Sequence, residues 1–310
     1  MKNITGENME NLRRLADTGR NITAVALSLV LLMSGLVFGE LEKAKEHFNA
    51  GINASQKENK EGAILAYKAA IAEEASFVDP YINLGAIYFE QKDYKLAADL
   101  FKTATEIDSK NIDAFANLGR VQYKLKKYAE AETAFKSAVA LDGKNADLYR
   151  DLGKVYYKKR NYAEVVSSLT EFHKLGGGDH LSWFMLGKGH QKTEKPAEAI
   201  KAFKQSIKAK QKYYNAHFAL GQIYLSQEKY LKAAESFKAA SKANPKKHQA
   251  AYNYAVAMEN YDSEDYATNI AAWERFIRKA KNNPKAKNQL AQAQSHVDDL
   301  KKAKEHSDLN

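Results

Sequence analysis

Residues 115–135 read FANLGRVQYKLKKYAEAETAF. The ring of Phe115 stands three positions before Leu118, Gly119 follows at once, a small residue stands twelve further on at Ala131, and a second ring closes the frame four later at Phe135. The frame returns at a constant step of 34, with Leu84-Gly85, Leu118-Gly119, Leu152-Gly153, Leu186-Gly187 and Leu220-Gly221 in register. Chance does not supply five such pairs, and the step continues in degraded form to Ala50-Gly51 and Tyr254-Ala255. A fixed period of this length is the mark of a repeat architecture, in which each copy buries its apolar face against the next.

Within a copy the spacings separate two helices. Tyr81, Phe115, Tyr149, Trp183 and His217 lie on one face with the Leu-Gly pair; Ala63, Ala97, Ala131, Ala199 and Ala233 share a second helix with Tyr67, Phe101, Phe135, Phe203 and Phe237. The links fall at polar points such as Gln91–Asp93, Lys126–Lys127 and Gln227–Lys229. Small residues in both helices predict close approach of the two backbones, with rings filling the space between copies.

This pattern resembles the tetratricopeptide-repeat (TPR) family over about Lys43 to Asn283. The resemblance implies an all-α, right-handed superhelical solenoid of about seven helix pairs, starting near residues 44, 78, 112, 146, 180, 214 and 248. Three copies depart from it. The fourth carries Val165, Leu169 and Phe172 in the second-helix frame and ends in Gly176-Gly177-Gly178, which predicts a bent or mobile turn. The fifth opens its second helix with Pro196, where a missing amide donor is harmless. The seventh carries about two extra residues around Asp262–Asp265, after which Trp273 takes the ring position. Residues 284–310 form a last helix whose stripe Leu290, Ala293, Val297 and Leu300 suits a cap on the seventh copy or a short coiled coil.

Composition agrees with helix. Only 4 of the 310 residues are Pro and 16 are Gly, and 28% are charged, too many for a chain mostly embedded in a bilayer. No cysteine is present, which excludes disulfides, thiolate-held zinc, thiol catalysis and lipidation of an N-terminal cysteine.

The N-terminal 1–39 stands apart. Lys2, Arg13, Arg14 and Arg20 precede ITAVALSLVLLMSGLVFG, Ile22 to Gly39, which holds no charge. Basic residues followed by an apolar run read as an export signal, with Val37 and Gly39 as small residues for cleavage before Glu40. Its length also suits an uncleaved anchor, and a buried core helix is the remaining alternative. Export would leave residues 40–283, the solenoid, and the tail in the periplasm or another extracytoplasmic space, tethered to the inner membrane if 22–39 remains.

No catalytic constellation stands out, so neither an enzyme nor a cofactor nor a metal site is expected. The eight histidines lack paired-ligand spacing, and Gly187-Lys188-Gly189 lacks the spacing of a phosphate loop and falls within a helix. In the family that the frame resembles, the first helices line a concave groove. The positions two before, one after and five after the glycine would face it. In the third to fifth copies this stripe holds Arg120 and Lys124, Lys154 and Lys158, Lys188 and Lys192, with Arg150 beside it; the second copy has Ala86 and Glu90, the sixth Gln222 and Ser226. Stacked cations repel one another, and an acidic partner would relieve the repulsion. The alternative is a solvated lysine face partly neutralised by Asp147 and Asp151. Phe184 and Met185, with Leu181 and Phe218 near them, either anchor a ligand or pack between copies. Arg150 and Lys154 also match two places of the carboxylate clamp of co-chaperone members, but Met185 stands where that clamp requires an Asn.

The expected function is a protein–protein interaction scaffold of the bacterial envelope, binding an acidic or extended peptide of an assembly or secretion partner. Binding of a polyanion, an acidic glycan or nucleic acid, is the alternative. Nucleic acid is disfavoured by export and by the lack of aromatics interleaved with the cations.

Overall fold

The computed structural model describes residues 39–309. The basic stretch and all but the last residue of the apolar run 22–39 lie outside them, and so does the expectation of a signal or anchor. Among the described residues the chain is helical throughout, without strands, and no helix is long and apolar enough to cross a membrane.

The chain divides after Leu141 into two compact units. The first holds α1 (39–56), α2 (Lys60–Glu73), α3 (Val78–Glu90), α4 (Tyr94–Ile107), α5 (Ile112–Lys124) and α6 (Tyr128–Leu141). The second holds α7 (Ala146–Lys159), α8 (Tyr162–Lys174), α9 (His180–Lys192), α10 (Pro196–Ala209), α11 (Tyr214–Ser226), α12 (Tyr230–Ala243), α13 (Gln249–Tyr261), α14 (Tyr266–Ala280), a single 3-10 turn at Pro284–Ala286 and α15 (Lys287–Asp308). Each helix packs on its sequence neighbour within its unit, giving three pairs and then four pairs with a closing helix. First helices of successive copies also touch, α3 with α5 and α7 with α9; no two second helices make a comparable contact. The first helices therefore form the inner row of each unit.

The glycine column makes room for a side chain, not for a neighbouring backbone. A Cβ on Gly119 would lie 2.7 Å from the ring of Phe135, and one on Gly85, Gly187 or Gly221 would lie 2.6–2.8 Å from Phe101, Phe203 or Phe237. Carbon atoms do not pack at that distance, so the ring occupies the space that a side chain would need. The irregular fourth copy keeps the contact with Leu169 against Gly153, and the first with Tyr67 against Gly51. Ala63, Ala97, Ala131, Val165, Ala199 and Ala233 are all fully buried beside these rings.

The turn inside each of the first six copies has one backbone conformation. Lys126 Nα donates to the Tyr123 carbonyl and Lys127 Nα to that of Gln122, the paired bonds that close a helix on a left-handed residue. Glycine usually fills that place. Here Glu58, Lys92, Lys126, Arg160, Glu194 and Glu228 hold it with φ of 57 to 65°.

The Gly176–Gly178 turn, expected to be bent or mobile, is built. Gly176 takes φ +89°, Gly177 lies against the Phe172 ring, and Asp179 caps α9 by accepting from Leu181 and Ser182 Nα at 2.7 and 2.9 Å. His173 Nδ1 donates to the Gly177 carbonyl at 3.1 Å, and the ring stacks on Trp183. Pro196 opens α10. In the seventh copy Asn269 takes the small-residue seat and donates to the Asp262 carbonyl at 2.8 Å, tying down the inserted turn. Ala293, Val297 and Leu300 of α15 are buried in one cluster with Trp273 and Phe276, so this helix is a cap and not half of a coiled coil.

Gly119→Leu will force the Phe135 ring from its seat and destabilise the fold by about 1–3 kcal/mol, read as a lower urea midpoint. His173 supplies a pH test. Burial, the larger effect, holds its imidazole below the ordinary range, against opposing pulls from the Gly177 carbonyl and Asp179. A lowered folded pKa means that the unfolded chain binds more protons, so this contribution is present above the ordinary histidine value and is lost as pH falls through the folded one. Urea midpoints of His173→Gln will accordingly fall less steeply with acid than those of the parent, and an unchanged slope would refute the assignment.

Candidate functional site

The inner row places the predicted stripe on α5 in the first unit and on α7 and α9 in the second. Arg120 donates from Nη1 to Asn117 Oδ1 at 3.0 Å, and Lys124 is exposed at the end of α5. On α7 the carboxylate of Asp151 is buried, and Lys154 Nζ lies 2.8 Å from its Oδ1. Arg150 pairs with Asp147 at 2.8 Å and sits over the Phe172 ring. The Asp147/Asp151 pairing therefore dominates here. Arg150 and Lys154, expected to face a partner, also neutralise carboxylates of their own helix, so an acidic partner would compete for them with Asp147 and Asp151. Lys158, one turn on, is exposed.

On α9 the position is reversed. Lys188 is half-buried, and its Nζ donates to Gln191 Oε1 at 2.6 Å, a neutral acceptor. Burial, then the neighbouring charge of Lys192, lowers its pKa below the ordinary lysine range. Neither lysine has an ion-pair partner among the described residues. A half-buried ammonium without a counter-ion is an electrostatic deficit that an anion would fill.

The expected apolar anchors are covered to different extents. Met185 is only 9% exposed. Phe184 lies between Phe203 and Tyr213, with ring centroids 5.7 and 5.4 Å away, and Phe218 between Tyr214 and Phe237, both at 5.5 Å. Each ring thus packs on rings of its own copy and is partly buried, as Met185 is buried. Of the four apolar side chains only Leu181 is exposed.

A cleft in the first unit escaped the sequence reading. About 740 Å³ in volume, it opens between α1 and α3 on the same inner stripe, at Ile52, Asn83, Ala86 and Glu90. The hydroxyl of buried Tyr67 lies at its floor, 3.4 Å from both Ser55 Oγ and Asn83 Nδ2, and Lys60 pairs with Glu90 at 2.9 Å. The signal was the small residue Ala86 between larger neighbours, which had counted only as an interruption of the cations.

Two family models match this frame. One, described as a TPR repeat, covers residues 85–126 and 123–159; another, described as a tetratricopeptide repeat, covers 184–248 and 220–260. The chain is a tetratricopeptide-repeat protein. No curated protein matches it. Solved structures share its fold at low identity. A C-terminal part of a TPR protein from Cytophaga hutchinsonii is 18% identical with a TM-score of 0.62, covering 78% of this chain and 99% of that one. YrrB is 20% identical with a TM-score of 0.54, covering 60% and 95%, and Pseudomonas aeruginosa pilF is 20% identical at 0.52, covering 69% and 97%. A TPR array is a protein–protein interaction scaffold, and its inner row here presents Lys158, Lys188 and Lys192 in the second unit.

The two classes of lysine separate by stability. Lys154→Met leaves the buried Asp151 carboxylate short of a partner and will lower stability by about 1–3 kcal/mol, whereas Lys192→Met will change the urea midpoint little. Equal effects would show that Lys154 is as free as Lys192.

Proposed function

We propose that this TPR protein binds an acidic, extended segment of a protein partner on the inner row of its second unit. Lys188 and Lys192 of α9 are the primary contacts, with Lys158 of α7 beside them. The observation that carries this reading is the half-buried ammonium of Lys188, which no carboxylate of the described residues answers. Carboxylates of a peptide would supply the missing counter-charge in a place already partly shielded from water, where a charge-assisted bond is worth more than at an open surface. The first-unit cleft does not suit the same ligand, since its one cation, Lys60, is already paired with Glu90. YrrB, one of the structures similar to this chain, is described as having an unusual peptide-binding site. Peptide capture is thus in keeping with the fold.

The place of action belongs to the same proposal. The run Ile22–Gly39 after four basic residues supports export to the bacterial envelope, with the repeats outside the cytoplasm and, if the run is retained, held at the inner membrane. Scaffolding of an envelope assembly or secretion component follows from that placement.

A panel of fluorescent Asp/Glu-rich peptides tests the inner row. Lys188→Glu with Lys192→Glu will weaken binding by at least about tenfold, as expected for the loss of two charge-assisted contacts, while leaving the urea midpoint unchanged. Unchanged affinity would sink the basic-stripe reading and leave the fold intact. Heparin or nucleic acid outcompeting every peptide would favour the polyanion reading, whose affinity falls steeply with salt.

A further inference from the structure

Most of the positive charge of this chain lies away from the inner row. Residues 194–247 contain twelve lysines against four glutamates, with no arginine and no aspartate. All twelve lysines are exposed. They lie mainly on α10, α12 and the turns that bound them, within the second unit. Lys204, Lys208 and Lys212 of one copy return as Lys238, Lys242 and Lys246 in the next.

The first unit shows what a merely solvated version of this face looks like. There Lys102, at the place of Lys204, pairs with Glu106 at 3.3 Å, and Lys136 pairs with Glu132 at 2.6 Å. Where α4 has Glu106, α10 and α12 have Lys208 and Lys242. A stabilising pair four residues apart has become a repulsive one, twice, at equivalent places. None of the twelve lysines joins an ion pair among the described residues. No ion pair of the described residues offsets this repulsion, which points to an explanation outside the fold.

We propose that the α10–α12 face docks on an anionic phospholipid surface. Three features select a bilayer over a nucleic acid or an acidic protein. The cations are all lysine, compact point charges on flexible stems that suit a field of headgroups, whereas planar bidentate recognition of phosphate favours arginine. Leu231 of α12 stands among them 45% exposed, an apolar side chain that gains from the headgroup boundary and not from a polymer backbone. Two of the nearby rings are already used, Tyr213 against His180 and Phe184, and Tyr214 between Phe218 and the Lys247 ammonium, so neither is free to stack on a base. An uncharged run at Ile22–Gly39 that enters a bilayer would bring the face to the same surface.

The full 310-residue chain is mixed with vesicles of phosphatidylcholine, with or without phosphatidylglycerol, and labelled with an amine-selective reagent read at each lysine by mass spectrometry. Because the readout is local, a tether elsewhere in the chain does not obscure it. Lys204, Lys208, Lys238 and Lys242 will label several-fold more slowly on the anionic vesicles than on the neutral ones, Lys124 will not change, and high salt will abolish the difference. In Lys204→Glu with Lys238→Glu, protection of Lys208 and Lys242 will fall by about fivefold for each charge removed. Equal labelling on both vesicles overturns the proposal. So does protection by double-stranded DNA or an acidic glycan at amounts where anionic vesicles give none, which assigns the face to a polymer.

Discussion

The packing of one ring on one glycine, sixteen residues earlier in the chain, sets the geometry of each regular copy. Phe135 on Gly119 and Phe203 on Gly187 fix the distance between the first and second helix, and every other residue of the frame is placed by that distance. Burying a ring of this size contributes about 1.5–3 kcal/mol, and the contact recurs in copy after copy. The fourth copy shows that the constraint is steric and not aromatic, since Leu169 fills the same seat over Gly153. Where the glycine column fails, at Ala255, the packing is renegotiated. Trp273 and Phe276 take over, Asn269 secures an inserted turn, and α15 covers the result.

This constraint is also why the fold was legible from the sequence. A residue that must be glycine, followed at fixed spacing by an alanine and a ring, leaves a periodic trace that surface substitutions do not erase. Conformation stabilised by backbone hydrogen bonds leaves no such trace. The left-handed residue that ends each first helix is Glu, Lys or Arg in six successive copies, although the sequence alone would have led one to look for glycine there. Backbone hydrogen bonds at each turn hold it, and no side-chain type is required.

The site was less legible, because helical spacing reports the direction of a side chain and not what meets it. Lys154 and Lys188 occupy equivalent places one copy apart. The residue three positions before Lys154 is the buried Asp151, and three before Lys188 is Met185, so the first cation is neutralised and the second is not. Phe184 and Met185 were ambiguous for the same reason. The exposure of Phe184 is decided by Phe203 of α10 and by Tyr213 just before α11, which no local spacing connects to it. The cleft beside Tyr67 arises from a small side chain, Ala86, and an absence of bulk has no motif.

Helix pairs let the two surfaces of a copy vary separately. The glycine-ring contact uses the facing sides of both helices, leaving the inner side of the first and the outer side of the second outside the core. A change of Glu to Lys on the outer side, as between Glu106 and Lys208, alters a helix by about 0.2–0.5 kcal/mol, well below the contribution of one buried ring. Charge can accumulate there without disturbing the frame. A net charge of +10 for the whole chain therefore describes neither surface. On α7 Arg150 and Lys154 are neutralised by pairing and Lys158 is exposed, α9 carries a half-buried cation with no counter-ion among the described residues, and the outer side of α10 and α12 carries most of the excess. The repeats give these charges a shared backbone geometry, and the choice of acid or base at each equivalent position gives them different uses.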